Sequence, residues 1–168
     1  TNIIDVSTYL RILLFYKDFN VIVFLDNKLA PLRDPIMLDD LGLYSIDAVC
    51  STTTGSFRVY DNQTSTVITI GSDLKVLQKG TNLYSVAGDQ KAIMLKETAN
   101  FVFLQTENSW IIRMDKFGNY IETIANDAAI TFDCVNDEIY TISKSNLSGF
   151  DNRNERFFFY SFDPMPIK

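Results

Sequence analysis

Apolar residues along this chain come in bursts of five to eight, rich in Val, Ile, Thr, Tyr and Phe, separated by clusters of Asn, Asp, Gly and Ser. Such runs between turn-forming clusters predict β-strands joined by hairpins. Helical periodicity is scarce. The best helix candidate is "DPIMLDDLGLY", Asp34 to Tyr44, where Pro35 suits a first helical turn, and it predicts a short helix or a turn at most. The pattern predicts an all-β chain.

The faces of those strands narrow the architecture. A strand with one wet face alternates apolar and polar residues. Here "ILLFY", "VIVFL", "FVFL" and "FFFY" are apolar at both parities, as expected where sheets stack on both sides. The same runs argue against an outer-membrane barrel, whose lumen-facing positions would be polar. A repeat agrees with stacking. "VIVFLDNKLAPL", "TVITIGSDLKVLQK", "WIIRMDKFGNYIETI" and "FFYSFDPMPI" each place a polar turn with an Asp after an apolar strand. Aligned on the last apolar residue before the turn, Leu25, Ile70, Met114 and Phe162 lie 45, 44 and 48 residues apart. A period in the mid-forties with about four short strands per unit is expected of β-propeller blades.

The repeat divides the chain, read as one domain over residues 1–168. A first blade holds "LRILLFYKDF", "VIVFLDN" and "LAPL". A second holds "SIDAVCSTT", "SFRVYDN", "TVITIG" and "LKVLQK". A third holds "QKAIMLKE", "NFVFLQTE", "WIIRMDK" and "NYIETI", and a fourth runs from "AITFDCVND" through "EIYTIS" to "RFFFYSFDPMPIK". "NIIDV" is expected to join the last blade and close the ring; alternatively the four blades belong to a larger ring.

Charge and composition narrow the function. With 46% hydrophobic and 13% aromatic residues the chain is too apolar for disorder. A net charge of −6 with singly scattered basic residues argues against nucleic acid as the main partner. Cys50 and Cys134 sit in apolar segments and read as buried thiols, with a bridge between distant segments as the alternative. No apolar run approaches a membrane span, and no signal peptide is visible. Thr1 opens the chain without a Met, compatible with a mature form or with part of a longer protein.

The absence of His removes the commonest general base, the Ser-His-Asp triad and His-ligated zinc. Two cysteines cannot build a Cys-only zinc site, and neither standard Gly-rich phosphate loop occurs. "DNRNER", Asp151 to Arg156, spaces oxygen ligands like a calcium loop but lacks its Gly and inserts Arg153, so it reads as a solvated loop. Asp39, Asp40, Asp137 and Glu138 read as turn carboxylates, with a glycosidase-type pair at a central channel as the alternative. The recurring Asp26, Asp61, Asp115 and Asp163 read as turn caps. Trp110 and "RFFFY", Arg156 to Tyr160, read as core, the latter as a buried inner strand. No cofactor and no metal is expected.

"RILLFYKDFNVIVFLDNKL" and "IDAVCSTTTGSFRVYDNQTSTVITIGSDLKVLQKG" resemble a group of small Bacteroidetes β-propellers. In that group a "YYKDF…VFLDN" hairpin precedes a "VYD" hairpin and an "FD-FG-Y-KTI" hairpin, and "IIRMDKFGNYIETI" fits the third. The likeness runs from about Leu10 to Ile124; "FRVYD" at Phe57 to Asp61 departs from it, lacking a Trp before "VYD". The group includes proteins similar to the plug of the type IX secretion translocon. That resemblance implies a non-enzymatic periplasmic protein, not itself inserted in the membrane, that caps a very large outer-membrane barrel.

Two kinds of function follow. A protein-binding propeller, whether a barrel plug or a soluble scaffold, would use a few aromatic or Arg anchors on one face of loops; Tyr44, Arg153 and Arg156 are the candidates. A propeller enzyme, a lyase or glycoside hydrolase, would need acidic or Tyr side chains converging on the central channel.

Overall fold

A computed structural model describes residues 2–8, 10–124, 131–135, 138–142, 146–151 and 156–161, with the side chains of 2, 135, 146–148, 150–151 and 156–161 outside that description. Four antiparallel sheets of four strands follow one another along the chain, each in simple chain order. Blade one is β1 (Asn2–Thr8), β2 (Arg11–Tyr16), β3 (Val21–Leu25) and β4 (Ile36–Met37). Blade two is β5 (Ile46–Ser51), β6 (Phe57–Asp61), β7 (Thr66–Ile70) and β8 (Val76–Lys79). Blade three is β9 (Ala92–Glu97), β10 (Phe101–Thr106), β11 (Ile111–Asp115) and β12 (Tyr120–Ile124). Blade four is β13 (Thr131–Val135), β14 (Glu138–Ile142), β15 (Asn146–Asp151) and β16 (Arg156–Ser161). The one α-helix among the described residues, α1 (Tyr84–Ala87), is a single turn between blades two and three. Asp34 to Tyr44 forms β4 and a 3₁₀ turn at Leu38–Leu41.

Register shows that the repeat is structural. Ile12 pairs with Leu25, Phe57 with Ile70 and Val102 with Met114. The same turn follows in blades one, two and three. Leu29, Leu74 and Gly118 donate N–H bonds of 3.0 Å to the carbonyls of Asp26, Gly71 and Asp115. Their φ angles of 64°, 64° and 80° mark a type I turn closed by a left-handed bulge residue. Asp26 Oδ1 accepts the N–H groups of Lys28 and Ala30, both at 2.8 Å. Asp115 Oδ1 does the same for Phe117 and Asn119, and Asp61 accepts from Gln63 N–H and the Thr64 hydroxyl. These three carboxylates cap turns, as their recurrence suggested; Asp163 lies outside the described residues.

Four expectations are corrected. "NIIDV" does not join the last blade: β1 pairs with β2, Thr8 opposite Arg11, and is the innermost strand of blade one. The fourth strand of that blade is Ile36–Met37, because "LAPL" contributes only a bridge from Leu25 to Pro31. The third strand of blade four is β15, so Phe162 is not the counterpart of Met114. "RFFFY" lies in β16, the outermost strand and not an inner one.

Blades stack through three apolar clusters. Leu13, Phe15, Ile22 and Phe24 of blade one pack on Val49, Phe57, Val59, Ile68 and Ile70 of blade two. Ala48, Cys50, Tyr60 and Val67 of blade two pack on Leu95, Val102, Leu104, Ile112 and Met114 of blade three. Phe103, Ile111 and Ile124 of blade three pack on Phe132 and Ile139 of blade four. Blades two and three are thus buried on both faces, which accounts for the run of β10, apolar at both parities. Among the described residues no cluster joins blade four back to blade one.

Candidate functional site

Topology sorts the loops onto two ends. Turns between first and second strands share one end with turns between third and fourth. Turns between second and third strands, with the links from blade to blade, occupy the other. That second end carries Phe19, Tyr44, Tyr84 and Trp110, exposed by 73%, 69%, 55% and 43%. Phe19 follows β2, Tyr44 links blades one and two, Tyr84 links blades two and three, and Trp110 follows β10. A row of exposed aromatics offers large, rigid contact area, the property of interface anchors.

Local bonding fixes the loops that present them. Asn20, left-handed at φ 52°, ends the turn holding Phe19, and its side-chain amide donates to Asp39 Oδ1 at 2.6 Å and to the Leu43 carbonyl at 2.5 Å. The residue before Tyr44 is therefore tied to the turn behind Phe19. Leu83, buried beside Tyr84, donates its N–H to Ser65 O at 2.8 Å. Ser109, left-handed at φ 64°, donates to Thr106 O at 2.9 Å and turns the chain into Trp110.

Of the three partner-binding candidates, Tyr44 lies on this end and Arg153 falls outside the described residues. Arg156 opens β16 with its backbone opposite Asp151, and its side chain is outside the description. Trp110 corrects the expectation of a core residue: it sits at a turn and is 43% exposed. Phe19 and Tyr84 escaped the sequence reading because each stands singly in a polar loop. Only the topology shows that these loops share an end.

The inner strands β1, β5, β9 and β13 line an open cleft of about 710 Å³, walled by Ile3, Ile4, Val6, Val49, Ile93 and Leu95, with Asp5, Lys96, Glu97 and Asp133. Each of these carboxylates is bonded across a blade boundary. Asp5 Oδ2 accepts the Ser51 N–H at 2.5 Å, and Asp133 pairs with Lys96 at 2.5 Å. Burial pushes the Asp133 carboxyl upward, but the Lys96 ammonium and the Cys134 N–H outweigh it, and the net pKa lies below the ordinary value. Glu97, 3% exposed, pairs with Lys116 at 2.8 Å and with the Arg58 guanidinium. Arg58 also donates to Thr69 Oγ1 at 2.6 Å and to the Lys116 carbonyl at 2.9 Å. At the aromatic end Asp47 bonds Lys17 at 2.8 Å and the Ala92 N–H at 3.3 Å, linking three blades.

Asp39 and Asp40 lie exposed in the 3₁₀ turn, away from the cleft wall. Glu138 accepts the Tyr140 hydroxyl at 2.6 Å, and Asp137 is outside the described residues. Cys50 is buried, Cys134 is partly exposed, and they form no disulfide. Burial, then the nearby Asp5 and Glu97 charges, push the Cys50 thiol well above its ordinary pKa. Among the described residues no three metal-ligating side chains cluster, and no helix is long and apolar enough to cross a membrane.

No protein-family model and no curated protein matches the chain by sequence. Solved structures match by fold. A Bacteroides caccae protein of unknown function superposes with a TM-score of 0.61 at 9% identity, over 94% of this chain and 59% of its own. Virginiamycin B lyase from Staphylococcus aureus, a catalytically inactive form with quinupristin, gives 0.65 at 10% identity, over 93% and 53%. The Pan2 WD40 domain from Neurospora crassa gives 0.66 at 13% identity, over 92% and 50%. The chain spans about half the length of these structures. At such identities the likeness carries the fold alone, a β-propeller of four-stranded antiparallel blades.

Proposed function

We propose that this protein is a non-enzymatic β-propeller that binds a protein partner through the end bearing Phe19, Tyr44, Tyr84 and Trp110. The observation that carries the reading is this grouping: four of the five described loops at that end each expose one aromatic side chain, the β6–β7 turn being the exception. The bonded state of Asp5, Glu97 and Asp133 supports it further, because a channel enzyme needs carboxylates turned to substrate and not to neighbouring blades.

The partner we propose is a large outer-membrane barrel, with the protein acting in the periplasm as a plug of the type IX secretion translocon. Support for this finer step is the resemblance of the "YKDF", "VYD" and "KFGNYIETI" hairpins to the Bacteroidetes propeller group. A rigid face of loops also makes a physically sensible stopper. The test is affinity purification from the native membrane fraction. Co-elution with an outer-membrane barrel is expected, and combined Phe19→Ala, Tyr44→Ala and Trp110→Ala substitution should lower recovery at least about tenfold, since aromatic anchors dominate such interfaces. Failure of any barrel to co-elute would overturn the plug assignment. Unchanged recovery by the triple variant would overturn the aromatic end as the docking face.

A further inference from the structure

The β6–β7 turn, which exposes no aromatic side chain, carries hydrogen-bond acceptors instead. Its Asn62, Gln63 and Ser65 face Tyr84, Gly88 and Asp89 of the following link across an open pocket of about 280 Å³. The walls are held in place by the chain itself. Asp61 accepts the Gln63 N–H at 3.1 Å and the Thr64 hydroxyl at 2.6 Å, and the Asn62 N–H donates to Ser45 O at 2.8 Å. Asn82 Nδ2 donates to Thr64 O at 2.7 Å and the Leu83 N–H to Ser65 O at 2.8 Å, so the link is tied to the turn it faces. Gly88, at φ 60° and ψ −145°, stops α1 in a conformation that suits glycine and leads the chain into Asp89.

The chemistry of the wall selects its occupant. It presents a carboxylate, two side-chain amides, a hydroxyl and the ring of Tyr84, 55% exposed, and no cation. Among the described residues the Asn62, Gln63 and Asp89 side chains hold no hydrogen bond or ion pair. The volume falls below the roughly 300–1,000 Å³ that drug-sized ligands occupy, and suits a single side chain. Charge around the pocket has the same sign. Of the described charges on this end, Asp18, Asp39, Asp40, Asp89 and Glu107 are exposed against Lys91, while Lys17 is taken up by Asp47. A guanidinium answers each feature, with forked N–H groups for carboxylate and amide oxygens and a plane that stacks on an aromatic ring. We propose that this pocket receives an arginine side chain of the protein partner, held by Asp89 and stacked on Tyr84. The proposal rests on the aromatic end being the docking face, and adds that the partner surface meeting it is basic.

Two measurements test it and fail separately. In the first, N-acetyl-arginine methylamide is titrated into the isotope-labelled chain and amide signals are followed by NMR. Ser65, Gly88 and Asp89 should shift. The neutral citrulline analogue, or the Asp89→Asn variant with the arginine probe, should bind at least about tenfold more weakly, because the charge-assisted fork is lost. Asp40→Asn, on the same end but outside the pocket, should respond as wild type does. Signals that the arginine probe leaves unmoved, or that citrulline moves equally, would overturn the pocket whether or not a barrel is the partner. In the second, each variant is used to recover the barrel from the native membrane fraction. Asp89→Asn and Tyr84→Leu should lower recovery at least about tenfold, and Tyr84→Phe, which keeps the ring, should retain it. Prior treatment of the fraction with phenylglyoxal, which blocks arginine, should lower recovery likewise. Full recovery by Asp89→Asn beside loss in the triple aromatic variant would overturn the arginine contact and leave the docking face standing. Failure of the wild type to recover any barrel would overturn the docking reading, and with it an arginine supplied by that partner.

Discussion

Arg58 stands where blade one has Leu13 and blade three has Phe103, at the same register position on the forward face. Its guanidinium is buried against Glu97, and that pair should dominate the stability of the contact between blades two and three. Glu97→Gln keeps the shape and removes the charge. Arg58, 6% exposed, would then sit in a low-dielectric contact with its buried carboxylate partner gone and only neutral acceptors left, Thr69, the Lys116 carbonyl and the new amide oxygen. Lys116, its ammonium side 33% exposed, can turn to water and adds little to the loss. Breaking one side of a buried pair costs about 3–5 kcal/mol. For a chain of this size that lowers the thermal midpoint by roughly 10 °C. Replacing both partners, Arg58→Leu with Glu97→Leu, restores the kind of contact blade one makes and should cost far less than the sum of the single changes. Thermal and urea unfolding of the four proteins in the cycle measures this. A Glu97→Gln cost below about 1 kcal/mol, or additive single and double variants, would refute the buried-pair argument.

Other consequences can be checked as directly. Native Cys50 should resist alkylation while Cys134 reacts, by mass-resolved labelling, and equal rates would mean that blades two and three part readily. Because Cys50 holds its proton when folded, its contribution to stability is constant below the ordinary thiol value of 9.0 and declines as pH rises above it, a slope Cys50→Ala removes. Burial pushes Asp115 up, but the Asn119 N–H and side chain and the Phe117 N–H hold its pKa below the ordinary 3.8, so its stabilisation is present above that value and is lost as pH falls through the folded pKa. Asp115→Asn should flatten the acid limb of the stability curve. Leu29 is left-handed and 66% exposed, so Leu29→Gly should stabilise by about 0.5–1 kcal/mol in urea unfolding. Gly118→Ala, at φ 80° with a Cβ 3.0 Å from Gly80 Cα, should destabilise by at least about 1 kcal/mol in the same assay.

Much of the fold was legible: β10, in a blade buried on both faces, is apolar at both parities, β2 and β3 are so too although blade one buries fully only one face, and Leu25, Ile70 and Met114 fell into register. Turn chemistry was legible at Asp26 and Asp115, where a carboxylate caps the reversal. β15 was not. "NLSGFD" is small and polar, because a strand held by ladders on both sides can form without an apolar run, and the reading passed on to "FFFY". β1 was misplaced because two residues between Thr8 and Arg11 reverse the chain without Gly, Asn or Asp to signal it. Tyr44 could be picked from sequence as a loop aromatic, but Phe19, Tyr84 and Trp110 join it only once strand order assigns each loop to an end.

The central claim, that the aromatic loop end meets a protein partner, is tested most directly by a photocrosslinking residue placed at Tyr44 or at Phe117, 59% exposed on the opposite end, in cells. The account predicts a high-mass adduct containing an outer-membrane barrel from position 44 and none from position 117. An adduct from position 117 alone, or no protein adduct from position 44, would contradict it.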